Sequence, residues 1–215
     1  SEYAIASAIS LFREAGLPVT VFVTHKSKEI DRALAAGEIK CGIHPNFMPD
    51  SSQGGSYQEV VDFCFDLLPN ARLFRAHRYY EVNDTMELLT KHGIEAESNL
   101  CTLMDVVPPF LHRSNTISFP IFWEDGAYLY NYQGFDYDSF WKQLNQPGLK
   151  VLNTREIKDR LTREEWNSLD AASIEKIAWQ GEGITSFIRR IVSDVKAAGI
   201  KTAYLEDVYD WILAQ

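Results

Sequence analysis

The sequence predicts an α/β protein wound around a parallel sheet, and two observations carry that expectation. One piece of punctuation recurs three times, at Glu14-Ala15-Gly16-Leu17, Lys91-His92-Gly93-Ile94 and Ala197-Ala198-Gly199-Ile200. Each ends a helical pattern and opens a short apolar run. Glycine suits the left-handed position after a helix, and repeated helix–Gly–strand joints mark βα units. The second observation is where apolar runs end in polar groups. His44 closes Lys40-Cys41-Gly42-Ile43, and Arg75-Ala76-His77-Arg78 closes Leu73-Phe74. In parallel α/β sheets the loops converge at the carboxyl ends of the strands, where ligands and metals sit. The two endings therefore aim a metal-type ligand and a fixed cation from adjacent strands at one cleft.

The elements follow in order. Glu2 to Ala15 reads as a helix, because Ile5, Ala8, Ile9 and Phe12 recur at helical spacing before Gly16. Pro18 to Thr24 is rich in β-branched and aromatic residues and reads as a strand. Residues 50–56, Asp-Ser-Ser-Gln-Gly-Gly-Ser, form a flexible loop placed to act as a substrate-facing lid. Tyr57 to Leu68 presents Tyr57, Val60, Val61, Cys64, Leu67 and Leu68 on one helical face, stopped by Pro69-Asn70. Asn83 is placed to cap a helix ending at His92. Residues 105–135 are less regular and rich in proline and aromatic rings. Gly148 to Asn153 reads as a buried strand, Thr162 to Glu165 as a capping box opening a helix, Ile184 to Ala198 as another helix and Lys201 to Leu205 as a last strand.

Two joins break the pattern. The chain opens on a helix with no strand before it, although each helix of a βα unit packs on the strand preceding it. The strand ending at Asn153 runs into Thr154-Arg155-Glu156 with no turn signal, where a loop of two to six residues is usual. A segment is expected to be absent at each place.

Composition narrows the function. A chain of 215 residues with 46% hydrophobic and 24% charged residues suits one globular domain over its whole length. No apolar run reaches the roughly 20 residues of a bilayer span, and no signal peptide precedes Ser1. The net charge of −9 argues against nucleic acid, which is bound through clustered Lys and Arg. The three cysteines lack metal-ligand spacing, so a reducing, cytoplasmic compartment is expected. Gly181-Glu-Gly183 lacks the remaining glycine and preceding strand of a dinucleotide fingerprint, and there is no P-loop and no Gly-x-Ser-x-Gly elbow.

Several residues carry the chemistry. Neutral imidazole is the commonest protein ligand for zinc, and His44 in Gly-x-His-Pro is the first candidate; its bland alternative is a histidine hydrogen-bonded at a strand end. His77 stands between two arginines that disfavour its protonation, which suits a ligand or an acid/base. Arg75 is a fixed cation, whereas Arg78 reads as surface. Asp125 in Trp123-Glu124-Asp125-Gly126 is either a turn aspartate or a group that orients a histidine. An aromatic beside a carboxylate can stack on a sugar, so Trp123, together with Asn46 beside His44, is assigned to substrate binding, the alternative for Trp123 being packed core. His25 lies at a strand end among lysines; His92 and His112 read as structural or solvent-facing.

Four segments, in their order, resemble the polysaccharide deacetylase (NodB-homology) family, in its divergent WbmS-like branch. They are Gly16-Leu17-Pro18-Val19-Thr20-Val21-Phe22-Val23-Thr24, Ile39-Lys40-Cys41-Gly42-Ile43-His44, Phe74-Arg75-Ala76-His77-Arg78-Tyr79 and Phe122-Trp123-Glu124-Asp125. The resemblance covers most of residues 1–153 and, weakly, Lys201 to Glu206. It implies an irregular (β/α) barrel, here lacking its first strand, with a divalent metal, usually zinc, that removes an acetyl group from an N-acetylated sugar in polysaccharide synthesis. The substrate implied is a saccharide or nucleotide-linked sugar. It also implies roles: His44 as a metal ligand, Arg75 as a catalytic residue that orients the base, and Asp125 as a catalytic residue that supports a histidine; His77, by its own chemistry, is taken as the second metal ligand and as a catalytic residue.

The chain departs from the family pattern. The second histidine of the metal motif is Met48, Ala76 and His77 stand where the Arg-Pro-Pro-Tyr motif has prolines, and Arg78 holds its tyrosine position. The Asp-Asp pair would lie before Ser1 and the general-acid histidine after Asn153, at the two irregular joins. A pseudo-enzyme that binds carbohydrate without cleaving it would show the same gaps.

Overall fold

The structure, a computed structural model, describes residues 2–127, 136–154 and 184–215. Helix α1 (Glu2–Ala15) precedes β1 (Thr20–Val23), then α2 (Lys28–Ala35), β2 (Lys40–Ile43), α3 (Tyr57–Leu67), β3 (Leu73–Phe74), α4 (Asn83–Lys91) and β4 (Ala96–Glu97). β5 (Phe110–Leu111), β6 (Ile117–Ser118), β7 (Ile121–Glu124), α5 (Tyr137–Leu144), β8 (Val151–Asn153), α6 (Ile184–Ala197) and α7 (Leu205–Leu213) follow.

Six strands form one sheet in the order β1-β2-β3-β4-β6-β5, and β7 pairs with β8. All pairings are parallel except β5 with β6. A parallel bridge from Cys101 to Ile121 continues the β4 side of the sheet onto β7. The expected βα winding is therefore present as a mostly parallel mixed sheet. Among the described residues, no ladder joins β8 to β1, so the pairings stop short of a closed barrel.

Local chemistry sets the helix starts. Ser56 accepts from the Glu59 N–H at 3.3 Å while Glu59 accepts from the Ser56 N–H at 3.1 Å, a reciprocal capping box at α3. Ser27 and Asp136 cap α2 and α5 in the simpler way. At α4 the expected cap is displaced by one residue. Asn83 is already helical, and the Thr85 hydroxyl bonds the backbone N–H and C=O of Val82. Gly16 and Gly93 both take positive φ (61° and 97°) where α1 and α4 turn toward β1 and β4.

The last expected strand is not one. Lys201 to Tyr204 joins no ladder among the described residues, and α7 begins at Leu205. The segment instead crosses the start of β1, where the Leu205 N–H donates to Thr20 Oγ1 at 3.1 Å. There it meets strand ends rather than a strand edge. The capping box at Thr162 and the residues beyond Thr154 at the abrupt join lie outside the described residues.

Alternation along the strands sorts the core. Val23, Cys41, Ile43 and Phe74 face helices α1 to α4 in two apolar clusters. Phe22, Gly42 and Leu73 lie on the opposite face, toward Phe119, Ile121, Val151 and Tyr209 of α7. On that face a Cβ at Gly42 would stand 2.8 Å from the Phe22 ring, so the absence of a side chain lets Phe22 lie across β2.

Candidate active site

His44 follows the last residue of β2, and its N–H donates to the Val23 carbonyl at 3.0 Å, which extends the β1–β2 ladder by one step. The loop beyond it is pinned. Gln53 is buried, and its Nε2 donates to the carbonyls of His44 (3.1 Å) and Thr24 (3.3 Å), while its Oε1 accepts from the Asn46 N–H at 2.6 Å. One carboxamide thus ties the ends of two strands to the middle of residues 50–56. The centre of that segment is anchored rather than a free lid.

β3 leads into the second half. The Arg75 N–H donates to Ile43 O at 3.0 Å and the His77 N–H to Pro45 O at 2.8 Å, so the two post-strand loops run bonded side by side. This register brings the rings of His44 and His77 to 5.9 Å between centroids, edge to face at 81°. Both residues are partly exposed. The juxtaposition expected from sequence is present.

Two residues before His77, Arg75 is buried. Its Nε donates to Ser98 O (2.9 Å), Nη2 to Ser98 Oγ (2.8 Å) and Nη1 to Asn153 Oδ1 (2.7 Å), and its plane sits 4.5 Å over Phe22. Asn153 ends β8, so side chains from opposite ends of the strand series meet across the interior face. Asn153 Nδ2 in turn donates to the Tyr79 hydroxyl at 3.0 Å. Burial first, and then the Glu124 carboxylate, hold the Tyr79 phenol protonated well above its ordinary range. Arg78 and Tyr79 both take φ of 56°, a conformation that costs energy for residues with a side chain.

Asp125 is buried at the end of β7, where Oδ2 accepts from Thr154 Oγ1 at 2.9 Å and Oδ1 from the Gly126 N–H at 2.7 Å. Trp123 is corrected by the structure. Only 2% exposed, it stacks on Phe187 at 5.5 Å and meets Phe140 edge-on, so it supports β7 from the core and offers no face to a sugar. Asn46 spends its Oδ1 on the Met48 N–H at 3.1 Å, forming a local turn beside His44. Among the other histidines, His25 is exposed and bonded to Thr24, His92 stacks on Phe65, and His112 joins Ser114 and Glu81.

Sequence reading missed Gln53, Ser98 and Asn99, and did not assign Asn153 a role. The available signal was positional: Ser98 and Asn99 directly follow Ile94-Glu95-Ala96-Glu97, as His44 and Arg75 follow their runs. Among the described residues, no cluster of three or more His, Cys, Asp and Glu stands ready to hold a metal.

A family model for WbmS-like polysaccharide deacetylases matches residues 1–162. The chain belongs to that family. A solved structure from Bordetella bronchiseptica, described as a candidate polysaccharide deacetylase involved in O-antigen biosynthesis, is similar in fold: the TM-score is 0.77 at 20% identity, covering 90% of this chain and 86% of that one. A candidate polysaccharide deacetylase from Mycobacterium smegmatis aligns at a TM-score of 0.47 and 15% identity, over 92% of this chain and 78% of that one. No curated protein sequence matches. Family membership thus agrees with the resemblance carried by His44 and the Arg75–Tyr79 stretch. No helix among the described residues is long and apolar enough to cross a membrane.

Proposed function

We propose that the protein is a metal-dependent hydrolase that removes an acetyl group from an N-acetylated sugar, acting on a saccharide or nucleotide-linked sugar in surface-polysaccharide assembly. The observation that carries this reading is the pairing of His44 and His77 at 5.9 Å, with the buried Arg75 two residues before His77. His44 and His77 are two donors of the kind a divalent ion takes. With a metal–nitrogen bond of about 2.0 Å and roughly 1.1 Å from nitrogen to ring centre, two imidazoles on one tetrahedral ion stand about 5 Å apart. The His44–His77 rings, at 5.9 Å, would close by about 1 Å to share such an ion. A catalytic zinc needs three protein ligands and an open position, so a further donor, a carboxylate in this reading, completes the set.

A bound divalent ion would supply a water whose pKa is lowered to roughly 7 and a Lewis acid for the amide carbonyl. The chain's own part is positional. His44 and His77 present their rings from loops bonded to each other, Arg75 holds a fixed positive charge at the root of the His77 loop, and Asp125 orients its surroundings through Thr154. Cys41 and Cys64 are buried, with thiols pushed up to about 11 and about 12 by burial, and all three cysteines are free, which suits a cytoplasmic stage of the pathway.

The test is a cobalt(II) titration of purified protein, with acetate release measured on N-acetylated monosaccharides and nucleotide-sugars. Wild type is expected to bind the ion and release acetate in a chelator-sensitive way; His44→Ala and His77→Ala are each expected to lose roughly 100-fold or more in either readout. A wild type that does neither ends the proposal. Met48 in place of the motif's second histidine favours one rival, a non-catalytic sugar-binding relative. Calorimetric binding of oligosaccharide that is indifferent to chelator, without acetate release, would select it.

A further inference from the structure

The Arg75–Ala76–His77 stretch carries no proline, yet its backbone is held from two sides. The His77 N–H is bonded to Pro45 O, and the Ala76 N–H donates to Asn99 Oδ1 at 2.8 Å. Asn99 is itself over-determined. It is 7% exposed, its N–H donates to the Glu97 carboxylate at 2.6 Å, and its Nδ2 donates to Glu81 Oε2 at 3.2 Å. Glu81 in turn pairs with His112 at 3.2 Å, so the amide cannot rotate without breaking its bond to a carboxylate that is itself held. Ala76 has no exposed surface and takes φ of −74° and ψ of 150°.

From this geometry we propose that Asn99 is a positioning residue, a clamp on the Ala76 amide that sets the distance between the His44 and His77 rings. The clamp substitutes a hydrogen bond for covalent stiffness. Ala76 sits at a φ within the range that proline imposes, about −65 ± 15°. A proline at position 76 would fix the same backbone without an N–H, but its Cδ would project to the place where Asn99 Oδ1 now lies. Either residue can hold the loop, and the two exclude each other. The clamp is a property of the polypeptide alone; its bearing on catalysis rests on the deacetylase reading.

That exclusivity gives a test that loss of stability cannot imitate. Asn99→Ala, Ala76→Pro and the double variant are compared with wild type by the nuclear Overhauser effect between the His44 and His77 ring protons, with thermal unfolding confirming that each is folded. The cross-ring effect is expected in wild type, lost or reduced severalfold in both single variants, and restored in the double variant. Cobalt affinity should follow the same order, falling about 10-fold or more in each single variant, the usual scale for removing a residue that orients a metal ligand. The clamp is overturned if Asn99→Ala keeps the full cross-ring effect, or if the double variant is no better than Asn99→Ala. A wild type that shows the cross-ring effect but binds no cobalt would end the metal reading while leaving the clamp standing.

Discussion

At the scale of single residues, buried polar groups decide the site. Arg75, Gln53, Asn99 and Glu97 are each 7% exposed or less, and each bonds backbone or another polar side chain. A buried polar group left without a partner costs about 1–3 kcal/mol, so such a network holds one geometry. Glu97 is where that arrangement has a cost. Burial raises its carboxyl pKa, against the lowering influence of the Ser118 hydroxyl, the Asn99 N–H and Arg75. A raised value means that the folded state holds the proton more tightly than the unfolded chain, so stability falls as pH climbs from the ordinary carboxylate value through the folded one. Glu97→Gln keeps an acceptor for Asn99 and removes the charge. Its unfolding midpoint should therefore exceed that of wild type at pH ~8, with the gain shrinking toward pH ~4. An equal gain at both pH values would show that ionisation is not the cause.

At the scale of elements, the strands are short, so the position of each strand end governs what its last side chain can reach. β3 has two residues and β2 four, yet Ile43 and Phe74 lie in register, and this puts His44 beside the Arg75–His77 loop. Gly42 is the one point on β2 where a side chain cannot be accommodated as the strands stand. A methyl group there would meet Leu73 O at 2.7 Å and the Phe22 ring at 2.8 Å. Gly42→Ala should destabilise by about 1–3 kcal/mol in urea unfolding, the usual cost of overpacking. It should also weaken cobalt binding, because Phe22 is the ring under the Arg75 guanidinium. A variant as stable as wild type would mean that Phe22 moves aside freely.

At the scale of the whole molecule, α7 closes the end of the interior opposite the site. Tyr209 is buried against Leu73, Phe119, Ile121 and Val151, flanked by Leu205, Val208 and Ile212. Charged pairs surround this plug: Lys40 with Asp207 and Glu206, and Arg72 with Asp210, while the Arg72 guanidinium stacks over the Tyr209 ring at 5.0 Å. Apolar burial outweighs exposed ion pairs in water. Tyr209→Ala is accordingly expected to cost about 3 kcal/mol, and Asp207→Asn less than about 1 kcal/mol. Denaturant unfolding of the two variants side by side checks the ranking, which fails if the charge change costs more than the loss of the ring.

The βα winding and the polar strand ends at His44 and Arg75 were legible in the sequence, because glycine after a helix and a polar residue closing a short apolar run are local signals. So was the family, through four segments taken in their order. Helices α2, α5 and α7 went unread because their apolar faces are brief, and Lys201 to Tyr204 was misread because only the fold reveals that it crosses strand ends. Trp123 shows the same limit: its composition suits a sugar platform, and its packing on Phe187 makes it core. The clamps were hidden for a physical reason. Gln53, Asn99 and Asn153 act on groups 7 to 78 residues away, and a carboxamide carries no mark of its partner until the chain has folded. Sequence alone determined which side chains could do chemistry; the tertiary structure decided which of them meet, because spacing between loops is set by buried hydrogen bonds made across distant segments.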